Sequence, residues 1–472
     1  MTGTAGAAEL PVVVIGAGPV GLAAAAHLLE RGLAPLVLEA GPAAGAAVRQ
    51  WGHVRLFSPW RHDVDAAAAR LLASRGWTAP DPEALPTGAE LVEQYLQPLA
   101  TVLSGRLRTG VRVVAVSRTG LDRTRTAGRA QTPFLVRVQH AGGTVEDLEA
   151  SAVIDASGTW ARPNPLGQAG LPAPGEAEAV TAGRITAPLP DVTGRDRDRF
   201  AGRRVLVVGA GHSAATTLLE LGALAEQEPG TRICWAVRTA DVTRVYGGED
   251  RDELAARGAL GTRLRRLVES GTIRVHPSFV ITGFGTDDDG LTVRATTPTG
   301  DEELTVDLLV PATGFRPDLA MLAELRLELD PAVEAPRRLG PLIDPEFHSC
   351  GSVAPHGETL LAHPETGFYL VGTKSYGRAP TFLLATGYEQ VRSIAAALAG
   401  DRDAADDVQL VLPETGVCST DLGGSCDLPP PGVDEQGCCA PVAAQEPVAA
   451  CRPGPQPVTI GAAPFLPSSS CC

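Results

Sequence analysis

Of 40 Lys and Arg residues only one, Lys374, is a lysine, and the acidic residues outnumber the basic ones, giving a net charge of −15. A chain that short of positive charge has no basic face with which to displace counterions, so nucleic acid and anionic membranes are not expected partners. Aromatic residues make up 4% of the chain, and no Cys-x-x-Cys spacing occurs anywhere, which removes the zinc-ribbon and finger patterns and the adjacent redox pair of a disulfide exchanger. No basic segment precedes the first apolar stretch, so a secretory signal is not expected and the chain is read as cytoplasmic. That stretch, residues 11–29, is almost free of charge, but its glycines fit a buried strand turning into a packed helix better than a membrane span. The arginine bias itself is read as genomic, which makes the lone lysine worth following.

At 472 residues the chain suits two domains and an extension. Its outline repeats. PVVVIGAGPVGLAAAAHLLERGLAPLVLEAG (residues 11–41) reads strand, glycine turn, helix, strand, and RRVLVVGAGHSAATTLLELGAL (203–224) followed by TRICWAVR (231–238) reads the same way. Each unit is followed by an alternating hairpin segment, FLVRVQ or LTVRAT, and then by an apolar strand ending in a small-residue turn, VIDASG (153–158) or LLVPATG (308–314). The predicted fold is α/β: two Rossmann-like dinucleotide-binding domains, one inserted in the other, for FAD and NAD(P)H, and a disordered Cys-rich tail. The expected boundaries are 9–165 and 302–400 for the two parts of the FAD domain, 166–301 for the NADPH domain, and 401–472 for the tail, with residues 163–202 mostly a crossing loop.

Gly16, Gly18 and Gly21, with Pro19 opening the helix, stand at the spacing that a tight turn, close approach to a pyrophosphate and helix-on-sheet packing require. Glu39 ends the second strand 18 residues after Gly21, where a carboxylate accepts both ribose hydroxyls and repels a 2′-phosphate, as suits the adenosine of FAD. The second fingerprint, Gly209, Gly211, His212, Ser213 and Ala214, has Ala where only a small side chain is needed, and its second strand ends in Arg238, whose charge favours the 2′-phosphate of NADPH. His212 is as readily a solvated turn residue as a phosphate contact.

These residues, over roughly 10–400, resemble the class B flavin-dependent monooxygenases. A further likeness, carried by VLVVGAGHSAATTLLEL, by GTKSYGRAPTFLLATGYEQVRS (372–393) and by the cysteine-bearing tail, is to the flavin monooxygenase-like proteins of bacterial arsenic-resistance operons. The resemblance places RQWGHVRLFSPW (49–60) across the isoalloxazine, with Arg49, Trp51, Arg55 and Ser58 as candidate neighbours, and adds Gly158, Gly314, Gly372, Lys374 and Thr381 to the cofactor set. It implies that NADPH reduces FAD, that molecular oxygen reacts with the reduced flavin, and that one oxygen passes to a small soft nucleophile such as sulfur or trivalent arsenic. Residues 181–200 contain neither His nor Tyr, where the monooxygenases carry an aromatic-x-Gly signature with a His.

Seven of the nine cysteines, Cys418, Cys426, Cys438, Cys439, Cys451, Cys471 and Cys472, fall in the last 55 residues, a density that suits a soft metal or metalloid in a reducing compartment. Cys234 lies in an expected strand and Cys350 in a loop. Three functions stay open: a monooxygenase of a small or metalloid substrate, a flavin-dependent disulfide or acceptor reductase, and a metalloid-sequestering protein. No paired-carboxylate or Ser-His-Asp site is evident.

Overall fold

The unbroken run Val12–Ile15 is buried at every position, as a strand covered on both faces must be. In the computed structural model, which describes residues 10–247, 255–346, 353–379 and 383–410, it pairs in parallel with Pro35–Glu39 on one side and Ala152–Asp155 on the other. Leu107–Thr109 and Phe368–Leu370 form the outer strands of this five-stranded parallel sheet. The Phe368–Leu370 strand arrives only after a second sheet has been built, so the second dinucleotide-type unit is inserted in the first. That second sheet is also parallel, ordered Ile273–His276, Arg232–Ala236, Arg204–Val208 and Leu308–Pro311.

Each sheet is accompanied by an antiparallel three-stranded meander whose strands alternate buried and exposed residues. One comprises Val111–Arg118, Phe134–His140 and Val145–Ala150, the other Val280–Asp287, Gly290–Thr297 and Gly300–Val306. The helix Pro19–Glu30 accounts for the charge-free stretch. It packs between its sheet and the helices Ala66–Ala73 and Leu384–Leu398, and Leu22–Ala26 and Leu28 are excluded from solvent. Among the described residues no helix is long and apolar enough to cross a membrane.

Three boundaries differ from the sequence expectation. The second sheet takes its edge strand from Leu308–Pro311, so the chain returns to the first domain after Pro311 and not at residue 302. The crossing segment 163–202 belongs largely to the second domain: Ile185 bridges Leu309 at the sheet edge, and Val192 and Phe200 are buried in that domain's core. Order also continues past residue 400, where Arg402–Asp406 forms a short helix capped by Asp401 and packed on Leu384–Leu398. The tail cysteines lie outside the described residues, as do Cys350 and Thr381.

Candidate functional site: two glycine turns and the segment between them

The first glycine turn is built so that backbone can be approached closely at one point. Gly16 has φ +100°, and a Cβ there would lie 2.8 Å from the Ala156 carbonyl oxygen. A Cβ at Gly21 would lie 2.0 Å from the Gly16 carbonyl oxygen, so helix and turn are in contact there. Gly18 differs: no atom lies within 4 Å of its ideal Cβ, and the helix Pro19–Glu30 that it precedes has no side-chain cap. Unpaired helix N–H groups therefore face open space, the arrangement that receives a diphosphate. Glu39 closes the other side, accepting from the amides of Ala17 at 2.8 Å and Gly41 at 2.7 Å. An open cradle, uncapped amides and a carboxylate at the strand end fit the adenosine diphosphate half of FAD.

Beneath this turn is the lone lysine. Lys374 is 1% exposed, and its Nζ donates to Asp155 Oδ2 at 2.7 Å and to Ser157 Oγ at 3.0 Å. Asp155, fully buried, also accepts from the Ser157 amide and hydroxyl. The ammonium thus neutralises a carboxylate that ends the Ala152–Asp155 strand and braces the turn leading to Gly158. Its charge is committed to that pair. Gly372 continues the brace: at φ +65° it sits against Val20, and its amide donates to Gln390 Oε1 at 2.8 Å. The Gln390 amide donates in turn to Ser375 Oγ and to His356 Nε2, each at 2.9 Å. With Nδ1 of His356 donating to the Ala354 carbonyl, and burial holding the ring below its ordinary value, that imidazole is neutral.

Of the four candidates in residues 49–60, two turn inward and two to the surface. Trp51 is half-buried against Gly88, whose Cβ would lie 2.8 Å from the indole. Ser58 is buried and donates to Asp63 Oδ1 at 2.7 Å. Arg49 and Arg55 are exposed, the first donating to Gln97 and the second to the Leu85 carbonyl. Asp63 has no accessible surface, its Oδ2 is without a hydrogen-bond partner, and burial pushes its carboxyl up to about 7 against the lowering effect of the Ser58 hydroxyl. Beside it Tyr388 donates to the Asp63 carbonyl, and Asp65, bonded to His27 at 2.9 Å, caps the Ala66–Ala73 helix. Sequence reasoning missed Asp63, Asp65 and the Gln390–His356 pair. A signal existed for Asp155, a charge ending an otherwise apolar strand in a chain with a single lysine.

The second turn repeats the first with different packing. Gly209 has φ +129°, a Cβ there would lie 2.1 Å from the Ala312 carbonyl oxygen, and Gly211 again has nothing within 4 Å. The helix His212–Gln227 starts without a side-chain cap, with Ser213 in its first turn and Ala214 buried against the core. Arg238, just past the strand Arg232–Ala236, is exposed. The turn after the edge strand is clasped to the crossing segment: Asn164 donates to the Thr313 carbonyl, Thr313 Oγ1 to the Asn164 carbonyl, and Gly314 sits there at φ +79°. The two domains meet at Phe57 and His212, whose rings are 5.1 Å apart, and where Trp160 stacks on Phe315 at 4.9 Å and donates to Gln50. Cys234 is half-buried in the second sheet, its thiol pushed up by burial, and it is the one cysteine among the described residues. No group of three or more metal-ligating side chains occurs among those residues.

Residues 13–337 match the family model of the pyridine nucleotide-disulphide oxidoreductases. No curated protein matches the chain in sequence. Its fold is similar to that of the bacillithiol disulfide reductase from Bacillus cereus, at 20% identity and a TM-score of 0.62 over 83% of this chain and 99% of that one. It is also similar to the FAD-bound cadaverine monooxygenase of desferrioxamine biosynthesis from Erwinia amylovora, at 15% identity and a TM-score of 0.59 over 86% and 98%. The ornithine N-hydroxylase from Kutzneria gives 17% identity and a TM-score of 0.55 over 84% and 100%. With a family match over more than half its length and two intact dinucleotide turns, the chain belongs to the pyridine nucleotide-disulphide oxidoreductase family and is an FAD- and NAD(P)H-dependent oxidoreductase.

Proposed function

We propose that the chain is a monooxygenase that takes hydride from NADPH on the second turn, holds FAD on the first, and oxygenates a small soft nucleophile. The observation that carries the two-nucleotide part is the pairing of one backbone device with two opposite charges: Gly18 and Gly211 are equally open, but the strand beside one ends in Glu39 and the strand beside the other is followed, two residues on, by Arg238. A carboxylate excludes a 2′-phosphate and a guanidinium pairs with it. Gly16, Gly18, Pro19, Gly21 and Glu39 bind the adenosine diphosphate half of FAD. Trp51, Ser58, Gly158 and Gly372 line its ring end, and Lys374 braces that wall through Asp155. Arg49 and Arg55 rim the same segment. Gly209, Gly211, His212, Ser213, Ala214 and Arg238 bind NADPH, with Gly314 at the crossing. The bound flavin would supply the redox chemistry and the reaction with oxygen, and the protein's part is to orient, enclose and exclude water.

The bacillithiol disulfide reductase likeness supports a second reading, reduction of a small disulfide acceptor. Since the chain has no Cys-x-x-Cys pair, such an acceptor would have to be reduced without one. For the seven cysteines of residues 418–472 the proposed role is to gather thiolates around a thiophilic metalloid such as arsenite, which links the chain to arsenic resistance. Oxygen stoichiometry during NADPH turnover, with and without arsenite, separates the readings. Oxygen incorporated into an added substrate supports the monooxygenase, and anaerobic reduction of a disulfide the reductase. A chain ending at Val411 that binds arsenite as tightly as the full one removes the tail from the scheme.

A further inference from the structure

The segment that crosses the first domain also plugs into the second. His53 is half-buried, and its Nε2, buried and without a hydrogen-bond partner, lies 3.9 Å from Glu220 Oε1 on the helix His212–Gln227. The nearby Pro190 carbonyl favours a proton on the ring, and Nε2 itself is left without a partner. An imidazole donating through Nδ1 presents a bare lone pair at Nε2 when neutral. Glu220 faces it, with the nearby Val192 amide favouring the ionised carboxylate. Two acceptors at this separation repel unless a proton stands between them, and with one the gap closes by about 0.7 Å to reach hydrogen-bond distance. Four residues further along the same segment, Phe57 lies on His212, the first residue of the helix that carries Glu220.

We propose that one proton shared between His53 and Glu220 latches the two dinucleotide-binding domains together, positioning the second glycine turn against residues 53–58 for hydride transfer. The coupling to hydride transfer rests on the reading that the second turn holds NADPH; the latch itself does not.

The charged groups around the pair all lie on the crossing segment: Asp191, Arg195 and Asp196 face His53, and Asp191 faces Glu220. Asp196 accepts from the Asp191 amide and from Arg195, and Asp191 accepts from the Arg195 amide, so those side chains are held in their own turn. Burial, then Asp191, hold the Glu220 carboxyl up to about 7, while burial lowers His53 below its ordinary 6.5. In the closed seam the proton therefore stays on Glu220 up to about pH 7. In an opened seam it would sit on a solvated imidazole and leave from the ordinary 6.5. The closed form binds it more tightly, so the latch is engaged below the ordinary imidazole value and weakens about threefold as pH rises through 7.

Hydrogen exchange of the FAD-loaded protein tests this, with protection of residues 51–58 and 188–194 referred to the unfolded chain at each pH. Protection in the unmodified protein should fall about threefold between about pH 6 and pH 8. Glu220→Gln, which leaves only the opened seam's imidazole to take a proton, should reverse that step so that protection rises with pH, and His53→Phe should lower protection at about pH 6 and leave it nearly unchanged at about pH 8. No step in the unmodified protein, or the same step in Glu220→Gln, overturns the latch. Stopped-flow reduction at saturating NADPH should fall in parallel while the NADPH Kd moves by less than about twofold. A limiting rate unchanged in His53→Phe at about pH 6 overturns the positioning role. If NADPH does not reduce the flavin at all, the function assigned to the second turn fails while the exchange data still decide the latch.

Discussion

The two glycine turns of this chain share their backbone and differ in what stands behind it. Both hold their first glycine at positive φ against a carbonyl, Ala156 for Gly16 and Ala312 for Gly209, and both leave the second glycine facing open space. The residue before that carbonyl is Asp155 in the first and Pro311 in the second. Asp155 is tied to Lys374, and through the Gly372 segment to Gln390 on the helix Leu384–Leu398, so the first turn is locked into a buried polar network. The second turn has Pro311 where the first has a charge, and is held by the Trp235 indole, which donates to the Gly209 carbonyl at 2.7 Å, and by the pairing of Thr313 with Asn164 of the crossing segment. A cofactor that stays bound through many turnovers suits the braced turn, and one that must leave after each reduction suits the lighter one.

The first way to break this comparison is to remove the brace. Lys374→Met leaves Asp155 buried and unpaired, and loss of one partner of a buried ion pair costs about 3–5 kcal/mol. Thermal unfolding should show that loss, and the comparison fails if Arg238→Ala destabilises the protein as much. Next comes the open position: a Cβ added at Gly18 meets no protein atom within 4 Å, so Gly18→Val should fold normally and lose the yellow flavin chromophore. A valine side chain in the path of the diphosphate is worth at least about 2 kcal/mol against binding. Stoichiometric FAD in purified Gly18→Val would remove the first turn from the account.

Asp63 distinguishes the first domain's interior by pH. Its folded-state value, about 7, is above the ordinary 3.8, so its contribution to stability is fully present below the ordinary carboxyl range and is lost as pH rises through 7. Asp63→Asn should therefore gain stability relative to the parent at about pH 8 and not at about pH 4, by on the order of 2 kcal/mol, as denaturant titrations would read. An equal effect at both pH values would mean that this carboxyl does not titrate in the folded protein. The smallest effect sharpens the charge contrast between the turns. Arg238→Ala should remove about 1.5–3 kcal/mol of preference for NADPH over NADH, and equal use of both nucleotides by the unmodified protein would contradict the assignment.

What the sequence carried was what lies close together in it. Both turns, their strands and helices, and the acid ending the first unit's second strand follow from spacing, because a βαβ unit is local, whereas the second unit's strand stops at Ala236, two residues short of Arg238. The insertion of one domain in the other was legible from the repeat. The edge strand Leu308–Pro311 was assigned across the boundary because its partner, Arg204–Val208, is about a hundred residues earlier and periodicity carries no pairing information. The same limit applied at the site. Lys374 drew notice as a singleton, but its partner Asp155 is 219 residues away in sequence, and Asp63, His53 and Glu220 carry no motif. Their behaviour comes from burial, which only the packed chain defines.

Gly211→Val tests whether the two turns hold different nucleotides. Its Cβ, like that at Gly18, meets no protein atom within 4 Å, so the substitution reaches only what binds there. Anaerobic stopped-flow spectroscopy of this variant should show full FAD content and a flavin that dithionite reduces but NADPH does not. Reduction by NADPH at the parent rate, or loss of FAD from the first turn, would contradict that assignment.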